Sequence, residues 1–313
     1  MSSFELRPLS LGELLDRAFL LYRRNFWLFT GIMLIPAVLL LPAQFFLLRS
    51  QGAALPWSAP LPQTRAVIYS YVIGIIYWFI FAVVQAATTF AVSDAYLGRP
   101  STVQEAYGKV RGKYWKVLGV SLGVVLRIAG LFLLVSIAAI VASAGVAFVM
   151  TRGSAGRPNP SLALIPLFVV LSAVLLVGWF SMRYAVSIPA VLLENIKGRA
   201  AIRRSVELSR GRRGQAFVAI LLGLVVTYAM AFLFQGPFYA GIALAKMKGQ
   251  LPTWLVLCMS ASSTVGGVIA GPLLMIILVV FYYDLRIRKE AFDLQQMMAS
   301  LPGATPAGAA PLA

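Results

Sequence analysis

The stretch FWLFTGIMLIPAVLLLPAQFFLL, Phe26 to Leu48, carries no charged residue, and the fold class follows from it. A helix needs about 20 apolar residues to cross roughly 30 Å of hydrocarbon, so this stretch is long enough for one crossing. Five more uncharged stretches follow. They are Ala66 to Ser93; Ile128 to Thr151, reaching back through Val117 to Leu126 if Arg127 is tolerated; Pro158 to Met182, continuing past Arg183 to Leu193; Gly214 to Ala245; and Gly249 to Tyr283. The last two exceed a perpendicular crossing, which predicts tilting, kinking or protrusion into the headgroups. Composition agrees: of 313 residues 60% are hydrophobic and 12% charged, with a mean hydropathy of +0.86. The expected fold class is therefore an all-α integral membrane protein with six transmembrane helices. The first 25 residues are mixed and charged, without a small-residue cleavage site beyond a short apolar core. They read as the approach to an anchoring first span, not as a cleavable signal.

Charge supplies orientation and removes several kinds of chemistry. Lys and Arg number 27 against 10 Asp and Glu, for a formal net charge of +17. A nucleic-acid binder would gather those charges in a soluble basic domain, and this sequence has none. Twenty of the 27 lie before span one, between spans two and three, between spans four and five, or after span six; six lie on the opposite side, and Arg127 falls within a span. The positive-inside rule then places both termini in the cytoplasm. All 10 acidic residues fall on that same side. With no histidine and one cysteine, Cys258, an external hydrolytic or divalent-metal site has no ligands to draw on. No cofactor-binding motif or phosphate loop is present, so the expectation is a non-enzyme without a cofactor.

The segments leading into the odd-numbered spans share a pattern. In the first, Ser10 and Glu13 form a capping box ahead of Leu11, Leu14, Leu15, Ala18 and Tyr22 at helical spacing. The second opens with Ser101 and has Gln104 three residues later, setting Val103, Ala106, Tyr107, Val110 and Tyr114 against Glu105, Lys109 and Lys113. A third, Arg199 to Arg210, has the basic face without a good cap. Such helices lie in the headgroup plane. Each even span ends in an acid, Asp94, Glu194 or Asp284, and a basic residue follows at nearly constant spacing, Arg99, Arg199 or Arg288. The economical organisation is three repeats of an interfacial amphipathic helix plus a transmembrane hairpin, in one domain over 1–297 with units near 9–98, 99–198 and 199–297. A tail at 298–313, rich in Ala, Pro and Gly, reads as disordered.

Three blocks carry a family resemblance: LRPLSLGELLDRAFLLYRRNFWLF from Leu6, RYAVSIPAVLLENIKGRAAIRRSVELSRG from Arg183, and FYYDLRIRKEAFDLQ from Phe281. Together they resemble the bacterial glycerophosphoryl diester phosphodiesterase membrane-domain family. The resemblance implies a six-span inner-membrane domain of mostly unassigned activity, fused in some members to a phosphodiesterase. That enzyme's barrel depends on histidines and metal-binding carboxylates, and this chain has neither barrel nor histidine. The resemblance therefore implies fold and location, not phosphodiesterase activity.

Two sets of residues are candidates for function. Asp94, Arg127, Arg183, Glu194 and Asp284 form a candidate polar or ion-pair cluster. A charge within a span is costly unless paired or watered, so Arg127 either pairs with Asp94 or Glu194 or snorkels to the headgroups. Arg183 and Glu194 stand about three helical turns apart, with Pro189 between them to bend the helix. Their open readings are a polar pocket or an inter-helix tie. The run Arg199, Arg203, Arg204, Arg210, Arg212 and Arg213 suits anionic lipid headgroups, although topogenesis alone would also place it there. The expected partners are membrane lipids, chiefly anionic, with a membrane protein or a second copy as further candidates. These features favour an accessory or scaffolding role. The alternative is a permease or exporter of a small or lipidic solute.

Overall fold

A computed structural model describes residues 7–50, 63–153, 164–247 and 252–290. Among them the chain is helical throughout: α1 Leu11–Arg24, α2 Phe26–Ser50, α3 Gln63–Tyr96, α4 Val103–Val110, α5 Tyr114–Gly153, α6 Leu164–Ser181, α7 Ser187–Leu193, α8 Gly198–Ser209, α9 Arg213–Met247 and α10 Thr253–Glu290. Six apolar stretches are long enough to cross a membrane, carried by α2, α3, α5, α6 with α7, α9 and α10. The chain is an all-α multi-pass membrane protein. Helix α10, with 38 residues, runs about 57 Å at 1.5 Å per residue, well beyond one hydrocarbon thickness. The proposed 298–313 tail lies outside the described residues.

The helices pair as hairpins, α2 with α3, α5 with α6, and α9 with α10. The short amphipathic helices α1, α4 and α8 pack chiefly on α10, α3 and α7. Each therefore sits on the even span that precedes it in a cycle, and α1 closes the ring against the last helix. The spans differ in burial: the apolar window of α10 is mostly buried, whereas that of α5 has no buried residue. Helix α10 is thus the core element, and its Ile276, Val280, Phe281, Tyr282 and Leu285 are fully enclosed. At the close approach of α9 and α10 a Cβ on Gly223 would stand 2.6 Å from Ile277 Cδ1, so glycine sets that spacing.

Prolines inside the spans leave carbonyls without a helical donor, and in hydrocarbon each must be satisfied locally. Pro36 cannot donate to Ile32, and Tyr107 Oη of α4 donates to the Ile32 carbonyl at 2.7 Å. Near Pro272, Tyr22 Oη of α1 donates to Ile269 O at 2.7 Å. Near Pro237, Ser262 Oγ donates to Phe234 O. The two tyrosines thus tie amphipathic helices to the spans beside their prolines.

Two local expectations need correction. The cap of α4 is Thr102 with Glu105, one residue beyond the expected Ser101 with Gln104. A carboxylate is the stronger acceptor for the cap N–H, which Glu105 meets at 3.2 Å. The fourth span does not bend at Pro189. It breaks earlier, through a 3-10 turn at Met182–Tyr184, and Pro189 sits in the first turn of α7. A proline there lacks only an N–H that would be unpaired anyway, while its ring forbids continuous helix four residues upstream.

Candidate functional site

The three acids that end the even spans each hold the next amphipathic segment. Asp94 Oδ2 accepts from Lys109 Nζ of α4 at 2.5 Å. Glu194, at the end of α7, accepts from Arg204 Nε of α8 at 3.0 Å and from Tyr282 Oη at 2.8 Å. Asp284 of α10 accepts the Leu9 N–H at 2.8 Å, just ahead of α1. Arg288 binds the same carboxylate at 3.0 Å and donates to the Leu9 carbonyl at 2.5 Å. The Asp284 side chain is fully enclosed, whereas Lys109 is 44% exposed. Water reaches the Asp94 tie from the Lys109 side and screens it in part, whereas the Asp284 tie works in lower dielectric. A further network joins Arg204 and Arg286 to both Glu194 and Glu290.

The candidate polar residues are thus not gathered into one cluster. Asp94, Glu194 and Asp284 have separate partners, and Arg127 meets none of them. Its Nη1 donates to Gly123 O at 2.7 Å, one turn back along its own helix, and its side chain is exposed. That direction leads toward the end of α5 that holds Lys113 and Lys116, which is the geometry of a snorkelling arginine. Arg183 is separated from Glu194 by the break in span four. Its guanidinium lies 4.7 Å over the Phe180 ring, and its carbonyl accepts from Ser205 Oγ of α8 at 2.8 Å.

The basic run divides in two. Arg204 turns inward to the Glu194 and Glu290 carboxylates, which removes it from the expected lipid contacts. Arg199, Arg203, Arg210 and Arg212 are exposed and Arg213 half-buried. Arg203 pairs with Glu207 at 3.0 Å and Arg212 with Gln215 at 3.0 Å. At the corner between α8 and α9 an open groove of about 630 Å³ is lined by Arg183, Arg210 and Arg213, with Trp179, Gly211 and Gly214. Gly211 has φ +84°, a left-handed conformation that glycine adopts without strain, and it turns the chain into α9.

A smaller cavity of about 330 Å³ lies between α2 and α10, lined by Leu41, Gln44, Leu257, Cys258, Ser260 and Ala261. Gln44 Oε1 stands 2.9 Å from Thr264 Oγ1 and 3.3 Å from Ser260 Oγ. Among the described residues no group of three or more Cys, Asp or Glu could hold a metal ion.

Sequence reasoning did not single out Lys109, Arg286 or Trp179 for a site. The acids stood out in sequence by recurring at the ends of even spans, and Arg288, four residues after Asp284, is among the described residues the one following basic residue that pairs with its acid. The other two partners lie at unequal offsets, 15 residues for Lys109 and 10 for Arg204, and such spacing carries no signal. Comparison with protein-family models, curated proteins and solved structures gives no match for this chain.

Proposed function

We propose that this chain is a non-enzymatic membrane protein with an accessory or scaffolding role that engages anionic phospholipid at its basic rim. The basic rim faces the cytoplasm of a bacterial inner membrane in this reading, with both termini on that side. The resemblance of the Arg183 block to the phosphodiesterase membrane-domain family belongs to the same reading. One observation carries the proposal: the helices α1, α4 and α8 lie at one end of the bundle, where the acids are spent on internal ties while Arg199, Arg203, Arg210 and Arg212 remain exposed. Each basic residue near an anionic surface contributes about 1 kcal/mol.

The test uses the full chain in nanodiscs. Retention of phosphatidylglycerol over phosphatidylcholine is measured by native mass spectrometry for the wild type and for a variant with all four exposed rim arginines replaced, Arg199→Gln/Arg203→Gln/Arg210→Gln/Arg212→Gln. Preferential retention in the wild type that falls in the variant supports the reading; equal retention of both lipids by the wild type overturns it. Sidedness is read separately, after Cys258→Ala, from Ser154→Cys and Arg111→Cys with an impermeant thiol reagent added outside. Labelling at Ser154→Cys alone supports the orientation. Arg111 is an exposed position between α4 and α5, so a cysteine there is accessible from its own side.

The exporter reading draws on the cavity beside Gln44, Ser260 and Thr264, which sets polar groups within the spans. It does not gain from Asp94, Arg127, Arg183 and Glu194, which stand with separate partners and line no common path. Flux of a phosphate ester or lipid analogue in proteoliposomes, lost in Gln44→Leu, would favour it over scaffolding.

A further inference from the structure

We infer that the groove at the α8–α9 corner is a discrete binding site for one phosphate group carried by a membrane lipid, with Arg183, Arg210 and Arg213 as its ligands. This rests on the anionic-lipid reading above and sharpens it from a diffuse charged surface to a built site. The first argument is charge. Three guanidinium-bearing residues line one groove, and no carboxylate lines it with them. The described carboxylates nearest in sequence are engaged elsewhere: Glu194 and Glu290 with Arg204 and Arg286, and Glu207 with Arg203. Like charges held in one concavity repel, and an anion between them reverses that term.

The second argument is donor supply. Arg213 Nε is buried and has no hydrogen-bond partner among the described residues, so one N–H of a groove-lining guanidinium lacks an acceptor. Guanidinium groups meet phosphate oxygens with paired, coplanar donors. Helix α9 also begins at Arg213, and both Arg213 and Gly214 line the groove. Its first backbone N–H groups add donors and the positive end of a helix dipole.

The third argument separates a lipid from a free anion. Trp179 forms one wall, is 44% exposed, and meets Phe217 of α9 at 5.9 Å between ring centroids. Trp is the residue type enriched at headgroup depth. Phe180, next to it on α6, and Val218, Leu221 and Leu222, within about three turns of the start of α9, are exposed apolar side chains. A phosphate seated among the arginines would therefore have its acyl chains laid along an apolar wall, an arrangement that inorganic phosphate cannot use.

Native mass spectrometry of the full chain, titrated with phosphatidic acid, phosphatidylglycerol and phosphatidylcholine, with inorganic phosphate as a separate arm, tests the site. The expected result is one tightly held anionic phospholipid per chain. Arg183→Gln/Arg213→Gln should weaken it at least tenfold, with Arg199→Gln/Arg203→Gln/Arg212→Gln changing it less than threefold. Arg210→Gln, an exposed position at the end of α8, serves as the milder variant if the double change fails to fold, and a loss of severalfold is expected there. Equal weakening by the groove and surface variants would overturn the discrete site while leaving general anionic-lipid binding intact. Absence of any anionic preference would overturn both. Inorganic phosphate displacing the lipid at equal concentration would overturn the lipid as the source of the phosphate.

Discussion

Replacing Asp284 tests the ring of ties at its most buried point. In Asp284→Ala the Leu9 N–H, itself fully enclosed, loses its acceptor. Leaving a buried donor unmade costs about 1 to 3 kcal/mol. Arg288 loses its carboxylate as well; a fully buried orphaned charge would bring the total to about 3 to 5 kcal/mol. Arg288 is 22% exposed and rehydrates in part, so the expected loss is about 2 to 4 kcal/mol. At about 2 °C or slightly more per kcal/mol for a chain of this size, the melting temperature in detergent should fall by roughly 4 to 10 °C. Asp284→Asn keeps an acceptor for Leu9 and should cost about half as much. The double variant Asp284→Ala/Arg288→Leu removes both charges and should recover at least about 1 kcal/mol relative to the sum of the single changes. Hydrogen exchange at the Leu9 amide should accelerate in Asp284→Ala. An unshifted melt, or strictly additive single and double variants, would refute the claim that this pair holds α1 on α10.

Tyr107→Phe removes the donor to the Ile32 carbonyl opposite Pro36 and should cost about 1 to 3 kcal/mol in thermal melts; burial pushes the Tyr107 hydroxyl up to about 12, so the loss should not vary between pH 6 and 9. Glu13 is held down at about 2, first by the Ser10 N–H of its capping box and then by Arg7. Its contribution to α1 is therefore complete above the ordinary carboxylate range near 4.5 and is lost as pH falls through about 2. Exchange at the Ser10 amide should speed up over that window in the wild type and show no such window in Glu13→Gln. Arg127→Ala should leave the melt nearly unchanged, because Arg127 meets a carbonyl of its own helix and no carboxylate among the described residues; a drop beyond about 2 kcal/mol, rescued by Asp94→Asn, would restore the ion-pair alternative.

The class of fold was legible in the residues alone, because uncharged runs of 20 or more residues have one stable arrangement in hydrocarbon, a closed set of backbone hydrogen bonds along a helix. So were the amphipathic helices ahead of spans one, three and five, since helical spacing and capping are local: Ser10 with Glu13 caps α1 as its residues dictate. The acids at the ends of even spans were legible as a recurrence, and so was Arg288 after Asp284, but Lys109 and Arg204 were not. Tertiary structure alone decided that Asp284 reaches back 275 residues to Leu9, that Arg204 faces inward while Arg203 faces out, and that Arg127 turns back along its helix. It alone brought Arg183 beside Arg210 and Arg213, across a break in span four whose position the sequence misplaced by several residues. Local patterns repeat because backbone geometry repeats. Which charge meets which acid depends on how helices rotate and slide against one another, and that is fixed by side-chain packing over the whole bundle.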